Sequence, residues 1–115
     1  MERGDDSSEL VEKCTSVLDE LCELTAESDG HNISEIFMSL PSRKLYPDYY
    51  QVIKQPISIN QIKKNVKQEK FESYESFMDS LQLMCTNAKT YNEEGSWVYE
   101  DATTVENFLR TKIWM

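Results

Sequence analysis

Apolar residues recur at helical spacing along this sequence, and this periodicity constrains the fold more than any other feature. From Glu9 to about Glu27 the apolar positions share one helical face, while acidic residues occupy the other face. Asp6 has a capping-box partner three residues later, and Ser28-Asp29-Gly30 is typical of a helix end. No alternating pattern typical of a strand competes with this interpretation. The segment therefore predicts a long amphipathic helix.

Residues typical of helix starts also mark four later segments. Asn32 and Ser58 each precede a capping-box partner by three residues, and Ser73 and Ser96 can each cap a helix. Four main amphipathic helices with mostly short later connections favour an antiparallel bundle, so we predict an all-α fold. The later predicted elements are a short helix over 32–41, a single turn over 49–54, and helices over 58–68, over 74–91 and after residue 96.

The composition is that of one folded domain. A chain of 115 residues is long enough for one core and too short for two, and its hydrophobic share of 39% can fill that core. No apolar run approaches the roughly 18 residues of a membrane span, and residues 1–8 lack the apolar region of a signal peptide. We expect a flexible tail over residues 1–8 and a monomeric folded domain over residues 9–115, without membrane contact.

The negative charge of the chain is concentrated at one end. The formal net charge is −9, and residues 1–30 contain ten acidic and two basic residues. The negative electrostatic field of these acidic residues disfavours general nucleic-acid binding and favours a basic partner. A solvated acidic helix face is the simpler explanation, and both interpretations stay open.

Residue patterns for catalysis or cofactor binding are absent from the sequence. Cys14, Cys22 and Cys85 are odd in number and lie in apolar helical patterns, which predicts buried free thiols. With His31 as the single histidine and no close cysteine pair, no zinc site is predicted. There is no phosphate-binding glycine loop and no nucleophile elbow. We therefore predict a protein that is not an enzyme and needs no cofactor or metal.

The segment over residues 41–57 is unusually aromatic for a connection between helices. Long connections with this composition are more often ordered binding loops than flexible linkers. The segment contains all three prolines and half of the tyrosines of the chain: Pro41, Pro47, Pro56, Tyr46, Tyr49 and Tyr50.

Two motifs in this order resemble the bromodomain signature. They are PDYYQVIKQPISINQIK at residues 47–63 and NAKTYNEEGS at residues 87–96. The resemblance extends over about residues 9–113. The stretches LPSR at 40–43 and EGSWVYEDA at 94–102 are most similar to bromodomains of chromatin-remodelling subunits, either polybromo-like proteins or remodeller ATPases.

The resemblance implies a left-handed bundle of four helices with a long, ordered first connection, and a pocket for acetyl-lysine. By position, Asn92 is similar to the asparagine that donates a hydrogen bond to the acetyl carbonyl. Tyr49 is similar to the tyrosine that binds this carbonyl through a water, and Val98 is similar to the gatekeeper residue at the mouth of the pocket. The implied partners are an acetylated histone tail and other subunits of a nuclear chromatin-remodelling complex. The positions implied as pocket walls or supports are Tyr46, Ile53, Pro56, Ile57, Ala88 and Tyr91.

An acetyl-lysine site is chemically consistent with these residues. Acetylated lysine is an apolar stem that ends in a neutral amide, so an apolar pocket with one amide donor satisfies it, whereas a bare ammonium would be left unpaired. From the residues alone, Asn92 before Glu93-Glu94-Gly95 is better explained as turn chemistry that closes a helix than as a binding residue. Val98 likewise fits a core position on an apolar helical stripe.

One departure from the family pattern supports an alternative function. Leu40-Pro41-Ser42 stands where many bromodomains have a Trp-Pro-Phe shelf, so Tyr46 or Trp97 would have to supply the lost aromatic surface. Trp97 is either an aromatic at the pocket rim or a cap on the bundle end. The alternative is a scaffold for protein association with weak auxiliary DNA contact. The lysines predicted for this contact are Lys63, Lys64, Lys67 and Lys70, with Arg43, Lys44 and Lys54 as possible additions.

Overall fold

The computed structural model describes residues 3–113, with side chains from residue 8 onward. In this part the regular elements are helical, and the only strand-like pairing is an isolated bridge between Thr25 and Asn32. A 3₁₀-helix over Ser34–Phe37 follows the first α-helix. The α-helices are α1 at Arg3–Leu21, α2 at Pro47–Val52, α3 at Ile59–Lys67, α4 at Tyr74–Tyr91 and α5 at Trp97–Arg110.

The three serine caps predicted for the later helices are confirmed. Ser58 accepts a hydrogen bond from the backbone N–H of Gln61, whose side chain accepts from the Ser58 backbone in return. Ser73 forms the equivalent capping box with Ser76, and Ser96 caps α5 through the backbone N–H of Tyr99. Each cap satisfies backbone donors that the first turn of a helix leaves without partners.

The predicted bounds of the first helix are wrong at both ends. Helix α1 begins at Arg3, inside the predicted tail, and ends at Leu21 instead of near Glu27. It ends early because the next residues pair with the returning chain: Ile33 N–H donates to Leu24 O and Ala26 N–H to His31 O. Met1 and Glu2 lie outside the described residues, and the flexibility of the tail stays a prediction.

The predicted capping role of Asn32 is also wrong. The short helix is a 3₁₀-helix over Ser34–Phe37 without a side-chain cap. The Asn32 amide instead donates to Cys22 O and accepts from the Ser34 hydroxyl, at 2.9 Å each, which ties the turn to the end of α1. The predicted turn over 49–54 lies two residues earlier, where Pro47 begins α2 with a backbone angle suited to that position.

The core confirms the predicted bundle. Helix α1 packs on α3 and α4, α3 packs on α4, and α4 packs on α5, while α2 lies within the long first connection. Cys14 and Cys85 are buried free thiols as predicted, and burial raises their pKa to about 11 and about 12, whereas free Cys22 is half-buried. The largest fully buried side chains are Phe77, Leu21, Ile33, Ile59, Ile62, Leu81 and Val105.

Candidate functional site

A cavity of about 500 Å³ opens between the first connection and the junction of α4 with α5. The residues that line it come from two stretches far apart in the chain, residues 35–57 and residues 84–98. Seven of the nine residues predicted for the acetyl-lysine site lie in this lining: Asn92, Tyr49, Val98, Tyr91, Tyr46, Ile57 and Ala88. The fold therefore assembles most of the predicted residues around one space, while ligand binding there stays a prediction.

Two predicted wall residues lie outside the lining. Ile53 is buried where α2 ends, and its backbone N–H donates to Tyr49 O at 2.8 Å, so it supports the segment that presents Tyr49. Pro56 is half-buried and does not contact the cavity. Both positions were predicted from the family pattern, which does not specify the direction of each side chain.

Several lining residues were missed at the sequence level. Leu40 and Pro41 belong to the segment noted for its missing aromatic shelf, and both contribute apolar surface. Helical periodicity marked Phe37 and Met84 only as candidates for the core. The other missed lining residues are Glu35, Ile36 and Ser39.

Asn92 has one of the two roles that its sequence context left open, that of closing a helix. It is the C-cap residue of α4, and its backbone N–H donates to Ala88 O at 3.0 Å. Its side-chain Nδ2 donates to the same carbonyl at 2.9 Å, which holds the amide against the cavity wall. A side-chain amide has two N–H donors and one acceptor oxygen. The second N–H and Oδ1 have no protein partner among the described residues, so a ligand can use them.

Tyr49 and Tyr91 line the cavity with Asn92, and Tyr50 packs against Tyr49 from outside the lining. Tyr49 is only 8% exposed, and its ring packs edge-on against Tyr50 at 5.2 Å and Tyr91 at 4.9 Å between centroids. The Tyr91 hydroxyl donates to the Asp48 carboxylate, and the Tyr50 hydroxyl donates to Pro41 O. Within the described residues the Tyr49 hydroxyl makes no hydrogen bond. Burial raises the pKa of Tyr49, so this hydroxyl stays protonated and can donate.

Further contacts hold the first connection against the bundle. The buried Asn87 on α4 donates from Nδ2 to Gln55 O at 2.9 Å. The Arg43 guanidinium lies 4.0 Å from the centroid of the Tyr50 ring, a cation–π contact. No sequence signal singled out Asn87, because its partner is distant along the chain. These contacts order the loop before any ligand arrives.

Trp97 lies at the rim of the cavity. It begins α5, lines the cavity and is 58% exposed, which favours the rim over a cap on the bundle end. The His31 ring packs edge-on against it at 5.9 Å between centroids. His31 is itself bridged by two carboxylates: Nδ1 lies 2.6 Å from Asp29 Oδ1, and Nε2 lies 2.7 Å from Oδ2 of the buried Asp101.

We expect His31 to titrate above its ordinary range. The hydrogen bond to Asp101, and then the one to Asp29, raises the pKa of His31. A raised pKa in the folded state means that the bridge stabilises the fold fully below about pH 6.5, and that this stabilisation is lost as pH rises through the folded pKa. The free energy of unfolding should therefore carry a component that decreases from about pH 6 upward.

This expectation can be measured at one resonance, because His31 is the only histidine. An NMR titration of its ring protons should give a midpoint above 6.5, and Asp101→Asn should shift that midpoint downward. A midpoint at or below 6.5 in the unaltered protein would contradict the bridge.

The lysines predicted for DNA contact lie away from the cavity. Lys63, Lys64 and Lys67 are exposed on α3, and Lys70 is exposed just after it. None of the four lines the cavity. DNA contact by these residues stays a prediction.

A metal-binding cluster and a membrane-spanning helix are both absent from the described residues. The side chains of residues 8–113 form no cluster of three or more histidine, cysteine or acidic groups that could hold a metal ion. No helix in this part of the chain combines the length and apolar character that a membrane crossing requires.

Comparison with known proteins decides the family. The family model described as Bromodomain matches residues 17–104. The chain belongs to the bromodomain family. A solved bromodomain of human BAZ1A superposes with a TM-score of 0.78 at 26% identity, covering 89% of each chain. The acetylated tandem bromodomain of Rsc4 superposes with a TM-score of 0.84 at 25% identity, covering 93% of this chain and 42% of that one. The predicted bromodomain fold is confirmed.

Two curated relatives of this bromodomain are named as subunits of a chromatin structure-remodeling complex, and a third is named as a nuclear protein. The chain is 44% identical over 87 residues to the chromatin structure-remodeling complex subunit snf21 of Schizosaccharomyces pombe, covering 76% of this chain and 7% of that one. It is 41% identical over 99 residues to rsc4 of the same organism, covering 86% and 18%. It is also 44% identical to the nuclear protein STH1/NPS1 of Saccharomyces cerevisiae, covering 80% and 7%. The chain thus spans less than a fifth of each of these relatives.

Proposed function

We propose that this bromodomain binds acetylated lysine in histone tails, as part of a nuclear chromatin-remodelling protein. The observation that carries the proposal is the Asn92 amide, which among the described residues retains a donor without a protein partner at the wall of the 500 Å³ cavity. The Tyr49 hydroxyl is the second polar group available there. This combination suits a ligand with an apolar stem and one polar tip.

The site discriminates by hydrogen bonding and desolvation. The acetyl carbonyl accepts from Asn92 Nδ2, and a bridging water can connect the same carbonyl to the Tyr49 hydroxyl. Unmodified lysine would have to bury an ammonium beside a neutral amide and a neutral phenol, and such burial costs several kcal/mol where neither of these neighbouring groups is charged. The site therefore recognises the acetyl group without changing it.

The charge near the cavity favours a basic peptide. Glu35 lies in the lining, and Glu93, Glu94 and Glu100 are exposed on the turn after Asn92 and the start of α5. Histone tails are rich in lysine and arginine, so these carboxylates would attract such a tail and accelerate its association. The proposed nuclear location rests on the chromatin-remodelling relatives.

The test is a calorimetric titration of matched acetylated and unmodified histone-tail peptides into the domain. We expect saturable binding of at least one acetylated peptide and at least tenfold weaker binding of its unmodified form. Equal binding of both forms would show that charge alone attracts the peptide. The absence of acetyl-dependent binding across a broad peptide set would contradict the proposal.

The alternative hypothesis, a scaffold with auxiliary DNA contact, is supported by the exposure of Lys63, Lys64, Lys67 and Lys70. Its other support, the missing aromatic shelf, is weakened by the structure. Tyr46 and Trp97 both line the cavity and so replace part of the lost aromatic surface.

A further inference from the structure

A second cavity of about 650 Å³ adjoins the acetyl-lysine cavity, and residues 28–36, which follow α1, form most of its lining. We call it the flanking cavity; it is lined by Ser28, Asp29, His31, Asn32, Glu35, Ile36 and Trp97. Glu35, Ile36 and Trp97 line both cavities, so the two share a wall. A peptide whose acetyl-lysine enters the first cavity can therefore reach the second with a nearby side chain.

We propose that the flanking cavity binds the side chain of an unmodified arginine or lysine close in sequence to the acetyl-lysine. This inference rests on the proposed function, because the acetyl-lysine positions the peptide. It adds a requirement for the residues around the modified lysine, which the Asn92 site alone does not impose.

Electrostatics favour a cation in the flanking cavity. The Glu35 carboxylate forms no ion pair within the described part of the chain, and the exposed Asp29 contacts only His31. Asp101 lies directly behind His31. Asp29 and Asp101 therefore bridge the imidazole, Glu35 adds a third carboxylate to the same cavity, and the wall is net negative whether His31 is protonated or neutral. An exposed, net negative wall attracts a guanidinium or an ammonium.

Trp97 supplies the contact that an acidic surface alone would lack. More than half of its side chain is exposed, and it stands between the two cavities. The His31 ring packs edge-on against it, which restricts its rotation. A guanidinium can stack on an indole face while its N–H groups reach neighbouring carboxylates. Arginine should therefore bind better than lysine.

A second acetyl-lysine fits the flanking cavity less well. Asn32 is the one side-chain amide in the lining; one of its N–H groups donates to Cys22 O and its oxygen accepts from Ser34, which leaves only its second N–H for a carbonyl. The lining contains no tyrosine hydroxyl like that of Tyr49 to bind the carbonyl through a water. A neutral occupant would also leave the carboxylates without a counter-charge.

The test is an arginine scan of a neutral peptide built from glycine, serine and alanine around one acetyl-lysine. A single arginine is placed in turn at each of three positions on either side, and a glutamine peptide serves as reference at each position. We expect arginine to strengthen binding about three- to thirtyfold at one or two positions, the combined effect of a cation–π contact and an exposed ion pair. Lysine should give a smaller gain.

The ratio of arginine to glutamine affinity is then measured in three variants. Asp29→Asn and Glu35→Gln should each reduce the ratio at the responsive position. Asp79→Asn should not, because Asp79 is exposed near the start of α4, about 20 Å of helix from Asn92. Asp29→Asn should leave the affinity for the glutamine peptide unchanged, since Asp29 does not line the acetyl-lysine cavity.

Three results would overturn the inference. An arginine gain that is equal at all positions, or that Asp79→Asn reduces as much as Asp29→Asn, would indicate general charge attraction while the proposed acetyl-lysine function stands. A second acetyl-lysine that strengthens binding more than arginine at the responsive position would identify a different occupant. Absence of acetyl-dependent binding by every peptide would remove both proposals together.

Discussion

Replacing Asn92 with alanine should weaken acetyl-peptide binding roughly ten- to hundredfold and bring it to the level of the unmodified peptide. The change removes the donor that faces the cavity and leaves the acetyl carbonyl buried without its partner, which costs about 1–3 kcal/mol. Calorimetric titration of the unaltered domain and the variant with the same acetylated peptide measures this loss directly.

The control must separate loss of the ligand contact from loss of the fold, because Asn92 also caps α4. Circular dichroism and thermal unfolding of Asn92→Ala should show a folded helical domain. Asn107→Ala removes a similar amide from an exposed position ten residues into α5 and should leave peptide affinity unchanged. If Asn92→Ala retained the acetyl-dependent affinity of the unaltered domain, the proposed recognition mechanism would be wrong.

Replacing Phe77 with alanine should reduce the free energy of unfolding by about 3–5 kcal/mol. Phe77 is fully buried on α4, and its ring packs edge-on against Phe71 at 5.7 Å and lies 6.0 Å from the Tyr74 ring, centroid to centroid. Removing the ring loses its burial and leaves a cavity among helices that cannot fully close. Small domains are stable by only about 5–15 kcal/mol, so the variant should be close to unfolding.

Urea denaturation of the unaltered domain and two variants tests this expectation. Phe77→Leu keeps most of the apolar volume and should cost clearly less than Phe77→Ala. A loss below about 1 kcal/mol for the alanine variant would mean that Phe77 does not occupy the packed core that the structure shows.

The sequence alone determined the elements whose signals are local. Ser58, Ser73 and Ser96 start their helices as predicted, because a cap and its partner backbone N–H groups lie within three residues of each other. The apolar stripes identified the bundle, since one face of each helix must be buried. The two motifs that contain Tyr49 and Asn92 indicated the bromodomain family and seven residues of the cavity lining.

Only the tertiary structure decided the features that depend on residues distant in the chain. Helix α1 ends at Leu21 because the returning strand-like segment at Ile33 pairs with Leu24. No local sequence pattern indicates this pairing. The burial of Ile53 and the tie between Asn87 and Gln55 follow from how the first connection folds onto α4. The flanking cavity exists for the same reason. Residues near positions 29 and 97 meet only when the bundle closes, and hydrogen bonds across about 70 residues have no periodicity from which they could be predicted.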